Sequence, residues 1–119
     1  CDILSLSGKL DALDEKLIDA ASAVSGCGPA FVYLFIQAMA DGGVKCGLPR
    51  DKALAYAEQT VLGAAKLAIE SGEHPEKLKD DVCSPGGTTI EGVRAMEEGK
   101  VRAAMIDAVT AAFEKSKKL

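Results

Sequence analysis

The chain of 119 residues has no tryptophan, and two Tyr and three Phe are its only aromatics. Its net charge is −4, with no basic stripe of the kind that tracks a phosphate backbone, so a nucleic-acid partner is not expected. Lys115, Lys117 and Lys118 gather at the C-terminus, where they suit the end of a helix dipole. Histidine occurs once, at His74, so a Ser/His/Asp triad would have to use that residue. With Pro75 beside it at a predicted helix start, a surface or capping role suits it better. The four cysteines, at 1, 27, 46 and 83, form no CxxC pair and match no zinc spacing. They are expected as buried or half-buried free thiols in a reducing cytoplasm. No apolar run reaches the roughly 18 residues of a membrane span, and no basic, apolar leader opens the chain. The expectation is therefore a cytoplasmic protein with no membrane partner. A GxGxxG fingerprint is missing: Ser25-Gly26-Cys27-Gly28-Pro29 holds two glycines but follows a helix rather than a strand. Paired carboxylates for acid/base work do not stand out either.

What the chain does have is apolar content of 48%, enough for a single core in one domain. Leu17, Ile18, Ala21 and Val24 form a stripe that predicts a helix over 14–23. Pro29 starts a second helix, in which Ala30–Ile36 reads AFVYLFI and is apolar on every side. Such a helix expects cover all round, some of it from a second subunit. Gly42-Gly43 inside it implies either a loosened helix or a close neighbouring backbone, and Gly47 suits its end. Pro49 opens a long helix over Arg50–Ser71, with Leu54, Ala57, Val61, Ala64, Ala65 and Ala68 on its packed face and Gly72 as its stop. Pro75 begins a short helix to Val82. Ile90, Val93 and Met96 carry another, which Gly99 ends. Val101, Ala104, Met105, Ala108, Val109, Ala112 and Phe113 follow helical spacing through a last amphipathic helix over 100–118. The fold class expected is all-α, with about five or six helices. Residues 1–13 are out of keeping with this pattern. They read as a short strand or linker and begin abruptly, as a piece of a longer chain would.

The stretch with chemistry in it is Cys83–Glu91, CSPGGTTIE. Gly86 and Gly87 lack a Cβ, so a ligand can approach their backbone. Ser84, Thr88 and Thr89 bring three hydroxyls. The N–H groups of Gly87, Thr88 and Thr89 stand at the positive end of the following helix, which suits a small carboxylate or phosphate. The alternative is a helix start capped by its own Ser or Thr, with the glycines as a tight turn.

Four segments carry a family likeness: Asp14-Glu15-Lys16-Leu17 with Asp19-Ala20; Ser25–Phe31; Ala40–Pro49; and Lys79–Ile90, the last being highly specific. On these residues the chain resembles the C-terminal domain of pyrroline-5-carboxylate reductases. The resemblance implies an interlocked helical homodimer, sometimes assembled into larger rings. It also implies an N-terminal Rossmann domain, absent from this chain, that would hold NADPH or NADH. Residues 1–13 would then be the tail of that domain, with its final strand around Lys9–Leu13, and 14–119 the dimerisation and substrate-binding domain. The implied reaction is hydride transfer to the C=N carbon of 1-pyrroline-5-carboxylate, giving L-proline, with no activity expected from these residues alone. Ser84–Thr89, including Gly86, would be the substrate loop. Gly87, Thr88 and the Ser84 hydroxyl would hold the carboxylate, Thr89 would reach the ring nitrogen as the catalytic residue, and Val82 would line the pocket. The chain departs from the family pattern at Cys27, where Ser is usual, at Phe31, where Tyr is common, and at Cys83, where small polar residues are usual. A thiol at 27 is a weaker donor than the hydroxyl it replaces. Two other classes fit the same residues: a helical dimerisation module without activity, and a reductase of similar build acting on another small acid.

Overall fold

The computed structural model describes residues 15–117, and every regular element among them is an α-helix. The helices are α1 (Glu15–Ser25), α2 (Gly28–Lys45), α3 (Arg50–Ser71), α4 (Pro75–Val82), α5 (Thr88–Glu98) and α6 (Val101–Lys117). The all-α expectation holds, and α3 and α4 begin and end where the prolines and Gly72 place them. The strand or linker expected over residues 1–13 lies outside the described residues.

The chain divides into two units, one of residues up to Tyr33 together with those from Arg102, the other Leu34–Val101. The second unit has its core where α2 meets α3. Ala40, Ala53 and Ala57 are buried there, with Ile36, Val44 and Leu54 packed against them. Side chains this small let two helices approach closely. The α2–α3 corner is closed by backbone bonds: the Leu48 N–H donates to the Gly43 carbonyl and the Gly47 N–H to the Val44 carbonyl, each at 3.0 Å. This is a Schellman ending, and its left-handed position, Gly47 at φ 113°, belongs to glycine. Gly43 settles the choice left open at Gly42-Gly43. The helix does not loosen; a Cβ at 43 would stand 3.2 Å from Leu48 Cδ1 and 3.4 Å from Ala53 Cβ. The close neighbours are therefore side chains rather than backbone. Across the corner Arg50 donates to Asp41 Oδ1, which also accepts from Gln37 Nε2 at 3.1 Å. These bonds, Arg50 foremost, hold the Asp41 carboxyl below its ordinary 3.8.

In the first unit α1 buries Ala23, and the Ser25 hydroxyl donates back to the Ala21 carbonyl at 3.0 Å. On α6 the half-buried positions are Val101, Ala108, Val109, Ala112 and Phe113, as the spacing predicts, whereas Ala104 and Met105, on the same stripe, are exposed.

Two expectations change and one is narrowed. The apolar stretch of α2 is not covered on every face by this chain, which leaves part of its expected cover to a second subunit: Tyr33 is 69% and Leu34 72% exposed. The physical reason is that Ala23, Ala40, Ala53 and Ala57 are the buried apolar residues among those described, so little chain is available to cover a helix on all sides. Cys27 and Cys46 are exposed, not buried, because both lie in the turns that follow helix ends; Cys83 is half-buried. Finally, taken through the Gly26-Cys27 turn, Leu17–Lys45 is long and apolar enough to cross a membrane by length and composition, with a mean hydropathy of 1.4. Counting uninterrupted apolar runs misses it, because isolated polar residues break the run without lowering the mean much.

Candidate functional site

The site is built at the junction of α4 and α5. Pro75 sits at the start of α4, where a missing N–H costs nothing. His74 caps it: its Nδ1 accepts from the Glu76 N–H at 3.1 Å. Lys77 bridges Glu73 at 3.2 Å and Asp81 at 3.1 Å, and those two carboxylates raise its pKa, with Asp81 the larger influence. After Val82 the chain leaves the helix with the Cys83 N–H on the Asp80 carbonyl at 3.1 Å. Pro85 and Gly86 then form a turn closed by the Gly87 N–H on the Ser84 carbonyl at 3.0 Å. Gly86 has φ 68°, a conformation that most side chains resist.

Gly87 is the N-cap of α5, extended at φ −83° and ψ 177°, and no side chain caps this helix start. The first-turn amides that a Ser or Thr cap would satisfy are thus not taken by one, which leaves the self-capped alternative unsupported. The Ser84 hydroxyl lies against Gly87 on the side where a Cβ would project, well inside contact distance of that position. Glycine at 87 is what allows the hydroxyl to sit over the turn. The structure therefore brings Ser84, Gly86, Gly87, Thr88 and Thr89 together at one exposed helix start. It also shows that the Gly87 N–H already has an acceptor in Ser84, so the amides of Thr88 and Thr89 are the stronger donors for a ligand.

Val82 is 66% exposed and ends an apolar groove of about 440 Å³ between α3 and α4. Gly63, Ala64, Leu67 and Ala68 form one wall, and Pro75, Leu78 and Val82 the other. The sequence reading had Val82 lining a substrate pocket by family likeness and Ala64 and Ala68 on the packed face of α3, and did not single out Gly63 or Leu67. The signal was present as small residues at 64 and 68 set opposite Leu78 and Val82, each pair one helical turn apart. Among the described residues no group of three or more His, Cys, Asp or Glu side chains could hold a metal ion.

Fold and site define an all-α domain with an uncapped, glycine-rich helix start and a large uncovered apolar helix. The match that fits this class is to the family described as pyrroline-5-carboxylate reductase dimerisation, over residues 15–119, and the chain belongs to it. It is 56% identical over 112 residues to the pyrroline-5-carboxylate reductase of Pisum sativum, covering 94% of this chain and 41% of that protein. The Escherichia coli enzyme of the same name is 51% identical over 118 residues, covering 99% of this chain and 44% of that protein. Among solved structures, the Plasmodium falciparum pyrroline carboxylate reductase with NADP bound superposes with a TM-score of 0.85 at 42% identity, covering 89% of this chain and 43% of that one. The 1-pyrroline-5-carboxylate reductase of Streptococcus pyogenes gives 0.86 at 41% identity, covering 90% and 41%. The chain thus spans about two-fifths of the length of these relatives.

Proposed function

We propose that this chain is the substrate-binding and dimerisation part of an enzyme that reduces 1-pyrroline-5-carboxylate to L-proline. The observation that carries the reading is the start of α5, where an uncapped helix end, the Ser84 hydroxyl and two threonines converge in a chain of this family. In this reading the substrate carboxylate lies on the Thr88 and Thr89 amides, with the Ser84 hydroxyl as a further donor and Gly87 sharing its N–H. Thr89 aligns the ring nitrogen through its hydroxyl, which fixes the face of the C=N bond presented for reduction. Gly86 and Gly87 keep the approach open, and Val82 with the groove behind it gives the apolar ring carbons a dry wall. A dinucleotide fingerprint is lacking in residues 1–119, so NADPH or NADH would be held mainly by a Rossmann domain outside this chain. When bound, the nicotinamide supplies the hydride.

The same reading makes the protein a homodimer that covers the exposed face of α2 with a second copy, and allows assembly beyond the dimer. The membrane alternative for Leu17–Lys45 is less favoured, since the family is one of dimerisation domains. The free thiols at 27, 46 and 83 accord with a reducing cytoplasm.

The test is Thr89→Val in the complete enzyme. Losing a hydrogen bond to a charged or strongly polarised partner costs about 1.5–3 kcal/mol, so kcat/KM should fall roughly tenfold to a hundredfold with circular dichroism unchanged. Normal turnover by this variant would remove Thr89 from the site. Turnover of small hydroxy acids in preference to pyrroline-5-carboxylate would replace the substrate altogether.

A further inference from the structure

The inference concerns His74 and rests on the reading of Ser84–Thr89 as a substrate loop. Helix α4 has eight residues and none of them is buried. A helix so short does not hold itself together in water. Its ion pairs, Lys77 with Glu73 and Asp81 and Lys79 with Glu76, are solvent-exposed and individually weak. Its C-terminal end is closed by backbone alone, through the Cys83 N–H on the Asp80 carbonyl. The side-chain cap is at the other end, where His74 Nδ1 accepts from the Glu76 N–H at 3.1 Å. An amide can only donate, so Nδ1 must present its lone pair, and the ring is neutral with its proton on Nε2. Protonation would set an N–H against an N–H and place a positive charge at the positive end of the helix dipole.

We propose that His74 is a positioning residue: while neutral it fixes the start of α4, and through α4 the Ser84–Gly87 turn, so that affinity for the carboxylate substrate falls on acidification. The path is short, since Val82 ends α4 two residues before Ser84. The charged residues nearest His74 along the chain are Glu73 in the connection and Glu76 and Lys77 in α4, with Lys77 bridged to Glu73. Histidine is the side chain whose charge ordinarily changes between about pH 5 and 8.

The experiment compares KM and kcat for pyrroline-5-carboxylate in the complete wild-type enzyme, His74→Asp and His74→Ala, from about pH 8 to about pH 6. Aspartate accepts the same amide bond and stays ionised throughout this range. In the wild type KM should rise several-fold on acidification with kcat little changed. In His74→Asp that rise should be absent. His74→Ala should show a KM about three- to tenfold higher already at pH 8. Effects of pH on the substrate itself are shared by all three proteins and cancel in the comparison. Equal pH profiles for wild type and His74→Asp would overturn the proposal, as would an unchanged KM at pH 8 in His74→Ala. Should the alanine variant not fold, amide exchange at Glu76 and Lys77 of the wild type, corrected for the intrinsic rate, decides: protection lost on acidification supports the cap, and constant protection overturns it. A wild type with no turnover at any pH would instead refute the reading of the loop, and the exchange measurement would still decide whether His74 holds α4.

Discussion

At the scale of single residues, the site depends on what Gly87 lacks. A methyl group there would meet the Ser84 hydroxyl well inside contact distance and the Ser84 carbonyl oxygen at 3.2 Å. One of the two must move, and the mobile one is the hydroxyl that the proposed clamp uses. Gly87→Ala should therefore destabilise the protein by about 1–3 kcal/mol and raise KM for the substrate more than it lowers kcat. Adding Ser84→Ala removes the hydroxyl from the contact. The double variant should regain part of the lost thermal stability but none of the lost affinity, and thermal melts beside steady-state kinetics on the four proteins of the cycle measure that split. Recovery of both together would mean that the Ser84 hydroxyl has no part in binding. Gly86 asks for a different thing, backbone freedom at φ 68°, with no atom within 4 Å of the position its Cβ would take. Two neighbouring glycines in one turn thus answer two separate physical demands.

Helix boundaries were legible in the sequence wherever a residue type has one cheap place to go. Pro49 and Pro75 mark the starts of α3 and α4 because proline has no N–H to satisfy, and Gly72 marks the end of α3 because its φ is 68°. The uncapped start of α5 was half legible: the glycines and hydroxyls were visible, but whether a side chain would turn back to cap the helix is decided by rotamers that a sequence does not carry. Burial was least legible. Ala53 is in the core and Ala64 and Ala65 are exposed, although all lie on an alanine-rich helix, because the short α2–α3 corner selects which turn of α3 faces α2. The end of α5 falls at Gly99, as read from the sequence. Gly99 is nonetheless at φ −78°, and the left-handed conformation falls on Lys100, at φ 63°. The glycine stands one position before the residue that could use it. Lys100→Gly should relieve the steric cost and stabilise the protein by up to about 1 kcal/mol, offset in part by the greater freedom of glycine in the unfolded chain. The melting temperature in denaturation experiments should rise by a few degrees, and a fall would show that the Lys100 side chain contributes more than its backbone costs.

At the scale of the whole molecule, the main fact is how much apolar surface remains uncovered. Val32, Tyr33 and Leu34 are consecutive, so they point to different sides of α2, and all three are exposed. No single neighbouring helix could cover them; a surface that wraps around α2 could, and the proposed dimer, with two copies exchanging helices, would provide one. Burying each such side chain is worth about 1.5–3 kcal/mol, so a face of this kind can hold a dimer at micromolar concentration even after the cost of association. Leu34, 72% exposed, is the position where a charge should matter most in the dimer and least in the single chain. Leu34→Glu is accordingly expected to convert the dimer largely to monomer in sedimentation velocity at micromolar concentration. Gln59→Glu, on the polar side of α3, serves as the control and should leave the dimer intact. The wild type should also fail to float with lipid vesicles, as a face covered by protein has nothing left to offer a bilayer. If Leu34→Glu stayed dimeric, the α2 face would not be the contact. If the wild type floated and Leu34→Glu did not, lipid rather than a second copy would be what covers it.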